Sequence, residues 1–181
     1  MASKIDTLLA SYEMVINEPW TGTLSSSERT MFLVFDPAEI RKVEMRLGDF
    51  ELATKKAGKR WELISLKDCF PTWMSQHKYR DEYFVDPESI VDQLETKFRQ
   101  YAIDYLNTQI DMLTTDENTL IAIKDVASIY GFSRLTDIIN SVSKTFKGRL
   151  LVLFPGEYDK NHYRLLDARD GWNYIARPIT A

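Results

Sequence analysis

Cysteine and histidine are almost absent: one Cys and two His stand among 181 residues. Cys69 has no partner for an intramolecular disulfide, which fits a reducing compartment. A structural zinc site has too few thiolates, and His77 and His162 lie far apart and outside any HExxH spacing. Cys69 precedes Phe70-Pro71 without a motif that would position a base, so a cysteine nucleophile is not expected. Glycine is also scarce, with seven in the chain, and none builds GxxxxGK[ST] or GxGxxG. The only Gly-Lys pair, Gly58-Lys59, runs into Arg60 and lacks an upstream glycine, while Gly156 stands alone. Nothing would wrap phosphates in backbone N–H groups, which argues against P-loop nucleotide hydrolysis. Long hydrophobic runs are missing too. The apolar run Leu150–Phe154 is far shorter than the roughly 20 residues that cross a bilayer. No charged-then-apolar leader opens the sequence, and a cytoplasmic protein without membrane contact is expected.

What is present is an ordinary globular composition, 44% hydrophobic and 28% charged, enough at this length to bury one sizeable core. A single α/β domain over residues 1–181 is expected. The 23 basic and 27 acidic residues give a net charge of −4, so no overall attraction draws the chain to nucleic acid.

Hydrophobic spacing orders the elements. Ile5, Leu8, Leu9, Tyr12 and Ile16 form a helical stripe that Pro19 and Gly22 end. Met31–Phe35 (MFLVF) is an apolar run of strand length, suited to a strand buried on both faces of a parallel sheet. Asp36-Pro37-Ala38-Glu39 then reads as a helix start, with Asp36 as cap, Pro37 at the first position and Glu39 reaching back. That helix would bury Ile40, Val43, Leu47 and Phe50 before Gly58 stops it, and Trp61–Leu66 would follow as a strand. Asp86-Pro87-Glu88 opens a second helix with an apolar stripe of Ile90, Leu94, Phe98, Tyr101 and Tyr105. The segment 67–86 has no clean period and fits a packed loop or a short helix equally. Thr119–Val126 is a further strand, Ser133 would cap a helix over Leu135, Ile138, Ile139, Val142 and Phe146 that Gly148 closes, and Arg149–Phe154 is again a buried strand. Strands alternating with helices predict a three-layer α/β fold with a mainly parallel sheet.

In such sheets ligands gather at the carboxyl ends of the strands. Here those ends carry Asp36, Lys124 with Asp125, and Glu157. The last third adds Asp167, Arg169 and Asp170 within YRLLDARDGWNY, a cluster of charges beside aromatics. Asp170-Gly171 is a turn-forming pair between alternating segments, so a C-terminal β-hairpin explains the cluster better than a metal site. Its tip would offer Arg169 and Asp170 as a polar rim and Trp172 and Tyr174 as apolar anchors for a protein partner, next to Glu157 and Tyr158.

FPGEY (Phe154–Tyr158), YRLLDARDGWNY (Tyr163–Tyr174) and the closing RPI (Arg177–Ile179) resemble the BrxB component of bacteriophage-exclusion (BREX) systems. A fainter likeness runs through RTMFLVFDPAEI and IKDVASIYGFSRLTDIIN. The resemblance implies an antiphage subunit without catalytic residues, metal or cofactor, acting through other BREX proteins, first among them the PglZ-type phosphatase-like component. It also suggests a sheet like that of a P-loop ATPase without its phosphate-binding loop. Two alternatives stand beside this reading. One is a metal-dependent nuclease or phosphohydrolase using Asp36, Asp125, Glu157 and Asp167. The other is DNA binding through Lys55, Lys56, Lys59 and Arg60, less favoured because basic residues also suit the end of a helix.

Overall fold

An uninterrupted apolar strand is stable only where both of its faces are covered, and the computed structural model gives the MFLVF run such a place. Residues 3–168 and 172–181 are described, with the side chains of Trp172 and Asn173 excepted. Strand β1 (Thr30–Phe35) lies inside a sheet ordered β2-β3-β4-β1-β7, with β2 at Arg60–Ser65, β3 at Thr119–Lys124, β4 at Arg149–Asp159 and β7 at Arg177–Ile179. All four neighbouring pairs on this path are parallel. Alternate side chains of β1 feed two cores. Met31 and Leu33 face one with Leu151 and Leu153, while Phe32 and Val34 face the other with Val152 and Phe154.

The first core is covered by α1 (Lys4–Ile16), α2 (Ile40–Met45) and α3 (Leu47–Lys56). Ile5, Leu8, Tyr12 and Ile16 of α1 are buried there, as the spacing predicts. Ser3 caps α1 in a reciprocal capping box with Asp6. After β1, the Asp36 side chain accepts from the Ala38 amide at 2.9 Å, but Glu39 does not reach back and pairs with Lys42 at 2.9 Å instead. A 3-10 turn over Pro37–Glu39 precedes α2, and the expected single helix breaks at Arg46. Val43 and Phe50 are buried, while Ile40 and Leu47 are only partly so. Gly58 ends the segment with φ +75°, a left-handed conformation that glycine adopts without strain.

The opposite face carries α4 (Cys69–Ser75), α5 (Arg80–Val85), α6 (Val91–Gln93), α7 (Arg99–Asp111) and α8 (Leu135–Thr145), which completes three layers. The aperiodic 67–86 segment is thus two short helices. Pro87 opens the next helical stretch without a side-chain cap from Asp86, and a π turn over Leu94–Phe98 interrupts it. Its buried line continues through Ala102, Leu106 and Ile110, leaving Tyr101 and Tyr105 flanking it. Helix α8 starts after Arg134, and Ser133 makes no cap bond. Gly148 is not a left-handed stop. A β-carbon there would lie 2.2 Å from the Thr119 carbonyl oxygen, so glycine lets β3 and β4 approach.

Beyond the parallel sheet, β4 continues into an antiparallel ladder with β5 (His162–Leu165), and β5 pairs with β6 (Trp172–Asn173). The described tight turn lies at Lys160-Asn161, whose φ angles of 46° and 69° match a two-residue hairpin turn. The turn expected at Arg169-Asp170-Gly171 falls outside the described residues.

Candidate functional site

The carboxyl ends of β1 and β4 open onto a groove of about 590 Å³ between α1 and the β4–β5 ladder. Ile5, Leu8 and Val34 form its apolar floor, and each is also part of the buried core. Asp36, Glu39, Glu157 and Asp159 stand around it, with Lys4 as the one cation among its lining residues. The rim is therefore acidic above an apolar base, with Glu39 paired to Lys42 and Glu157 to Arg164.

Each element puts its part of the rim there for a local reason. Asp36 is fixed by capping the turn after β1, and Glu39 follows it on that turn. Glu157 and Asp159 share one strand face two residues apart, Glu157 opposite Arg164 with their charges 3.5 Å apart. Gly156 just before them admits no side chain, since a β-carbon would meet the Arg164 carbonyl oxygen at 2.0 Å. That close approach pins β4 against β5. Tyr158 is half-buried between them. Its ring packs 4.8 Å from Tyr163, and its hydroxyl donates to Asn161 Oδ1 at 2.9 Å across the turn.

The remaining sequence candidates separate. Tyr174 is turned inward, its ring stacked 5.6 Å from Phe32. Burial raises its pKa, and its hydroxyl faces Thr30 and Ser143 without full hydrogen-bond geometry to either. Arg169 and Asp170 lie outside the described residues, as does the side chain of Trp172. The four acids of the metal hypothesis each have a local partner and stand on different elements. Asp36 caps its turn, Glu157 pairs with Arg164, Asp125 accepts from Ser65 and lies 3.5 Å from Lys124, and Asp167 accepts from Tyr130 at 3.5 Å. Among the described residues no three His, Cys, Asp or Glu side chains gather as a metal site would require. Asp125 is notable for its left-handed backbone at φ 59°, yet the cavity beside it holds only about 70 Å³.

Cys69 is fully buried, and burial pushes its thiol up to about 12, so almost no thiolate exists at neutral pH. The basic run is dispersed. Lys55 pairs with Glu51, Arg60 lies 3.7 Å from Asp116, and Lys59 turns to the ring of Trp20. The groove itself was missed by sequence reasoning, except for Asp36, Glu157 and Tyr158. Its floor comes from α1 and β1, and no local pattern announces that α1 and the end of β4 would border one groove. Among the described residues no helix is long and apolar enough to cross a membrane.

A family model described as BREX protein BrxB matches residues 66–177, well over half of the chain. The match begins at Leu66, so it includes the 67–86 segment, whose sequence contributes little to the resemblance described above. No curated protein and no solved structure matches.

Proposed function

The chain belongs to the BrxB family of BREX proteins, and from that membership we propose that it is a non-enzymatic accessory or assembly subunit of the antiphage system, acting in the cytoplasm through protein contacts. The groove at the carboxyl ends of β1 and β4 is the contact surface in this reading. The observation that carries it is the pairing of an apolar floor with four carboxylates at the rim. Such a surface favours a basic segment with one or two apolar anchors, because complementary charge steers the encounter while burial of the anchors supplies affinity. The PglZ-type component is the first candidate to supply that segment.

The likeness to a P-loop sheet without its loop belongs to the same reading. Where a phosphate loop would follow its strand, β1 runs directly into Asp36-Pro37-Ala38-Glu39, and two carboxylates there repel phosphate. A non-hydrolytic role is supported by this replacement of amide donors by acids.

Coexpression with other BREX proteins, the PglZ-type component among them, tests the proposal. The parent is expected to copurify with at least one of them, and Glu157→Lys combined with Asp159→Lys is expected to lose that partner while staying folded, with only the small drop in melting temperature that setting a lysine opposite Arg164 causes. A parent protein that remains alone, or a double variant that retains full partner binding, overturns it.

A further inference from the structure

The five parallel strands enter the sheet from the end opposite the groove, and four of them begin at or beside an arginine. Arg60 opens β2, Arg149 opens β4, Arg177 opens β7 and Arg29 immediately precedes β1. Three of these sit on the adjacent strands β4, β1 and β7, which neighbour one another at about 4.8 Å. Thr30 pairs with Leu150, which sets Arg29 beside Arg149, and Arg177 pairs with Met31. Counting by twos from Met31 and Leu151 puts Arg149 and Arg177 on the face that α1 covers, whereas Arg29, in the turn before β1, reaches the link between α8 and β4.

Their charge is incompletely matched. Arg177 is held by Glu18 through two hydrogen bonds. Arg29 donates to the carbonyl oxygens of Phe146 at 2.8 Å and Gly148 at 3.3 Å, which orders it without neutralising it. Arg149 is half-buried, with its guanidinium 4.7 Å from the ring centre of Trp20, and Lys59 lies 4.5 Å from the same ring. Among the described residues Arg149 has no carboxylate within ion-pair distance. Burial first, and then Arg177 and Arg29, disfavour its charged form, with Glu18 the one group opposing them. Glu28 also borders this region but is turned to the Ser25 amide at 2.8 Å. Between Trp20, Arg149 and Arg177 opens a cavity of about 460 Å³, with the exposed Ile175 on its wall.

We propose that this cavity binds a phosphate group, carried by a nucleotide or by a nucleic-acid strand, with Arg149 as its ligand; Arg177, whose two terminal nitrogens are held by Glu18 on the same wall, adds its charge and not its hydrogen bonds. A guanidinium matches phosphate oxygens with two parallel N–H donors, and Trp20 fixes the plane of that fork while leaving its edge free. An anion placed between adjacent arginines removes the repulsion they impose on each other. The volume suits a nucleotide-sized ligand, and the apolar wall suits a base. The site lies opposite the acidic groove and does not depend on the reading given to that groove.

Titration calorimetry on the full chain at low salt, with pyrophosphate, AMP, a short oligothymidine and an oligoglutamate peptide as probes, tests the proposal. Phosphate-bearing probes are expected to bind, to weaken as salt rises and to lose about tenfold or more in affinity in Arg149→Gln. AMP binding as tightly as the oligonucleotide identifies a free nucleotide as the source, and oligonucleotide binding alone identifies a strand; either supports the site. The proposal is overturned if no phosphate probe binds at millimolar concentration, if oligoglutamate binds more tightly than pyrophosphate, or if Arg149→Gln binds like the parent. Should that variant fold poorly, the indole resonance of Trp20 in the parent decides: it shifts on addition of pyrophosphate if the site exists, and stays fixed otherwise.

Discussion

Gly156 is the residue whose identity is most tightly dictated. The contact that a β-carbon would make is with the backbone of β5, at 2.0 Å from the Arg164 oxygen, so no rotamer change relieves it. Gly156→Ala must separate β4 from β5, and we expect a loss of about 1–3 kcal/mol, read from urea denaturation midpoints. The buried tyrosines make a second residue-level prediction. Thr54 donates its hydroxyl proton to the Phe50 carbonyl at 2.8 Å, so at 2.5 Å Tyr12 must be the donor to Thr54. Tyr163 likewise donates to the Ala176 carbonyl at 2.7 Å. Burial raises both phenols above their ordinary value, chiefly by desolvation. Between the unfolded value near 10 and the higher folded values, the native state holds more protons than the unfolded state, so stability falls as pH rises. Stability should therefore be insensitive to these two groups below about pH 10 and decline above it. Melting temperatures that hold level through that alkaline range would contradict the assignment.

At the scale of elements, legibility followed burial. The runs 31–35 of β1 and 150–154 of β4 were readable because strand segments covered on both faces are continuously apolar, whereas the exposed end of β4 past Gly156 is not. Segment 67–86 was not, since α4 and α5 are short and only Cys69, Trp73, Met74 and Tyr83 of them are buried, too few to print a period. Caps were readable as residue types and less so as bonds: Asp36 caps its turn, whereas Asp86 and Ser133 do not. The stripe after Pro87 shows a subtler failure. Ile90, Leu94, Phe98, Ala102, Leu106 and Ile110 recur every four residues, a wider period than the 3.6 of an α-helix. The π turn over Leu94–Phe98 underwinds the chain and helps keep that line on the sheet. The sequence pattern, read at ideal pitch, instead drifted onto Tyr101 and Tyr105. Leu106→Ala is thus expected to cost about 2–5 kcal/mol, and Tyr101→Ala clearly less; equal losses in calorimetric melts would place the stripe where ideal pitch puts it.

Over the whole molecule, parallel strands sort charge by direction. Every strand on the parallel path starts at one end and finishes at the other, so arginines at strand starts and acids just past strand ends separate by the length of the sheet. A net charge of −4 conceals this polarity, which is why composition alone showed no overall attraction to nucleic acid and said nothing of a local patch. Local fields depend on neighbouring charges within about 10 Å at moderate salt, far less than the span of a domain. The two ends should therefore act independently. Glu157→Lys with Asp159→Lys is expected to abolish partner copurification and leave pyrophosphate affinity within about twofold of the parent, while Arg149→Gln does the reverse. Because sites this far apart without shared partners contribute additively, the triple variant should lose both properties and melt as the sum of its parts. If either charge change disturbs both readouts, the groove and the arginine row form one surface, and a single partner that wraps the molecule from end to end would replace the two-site description.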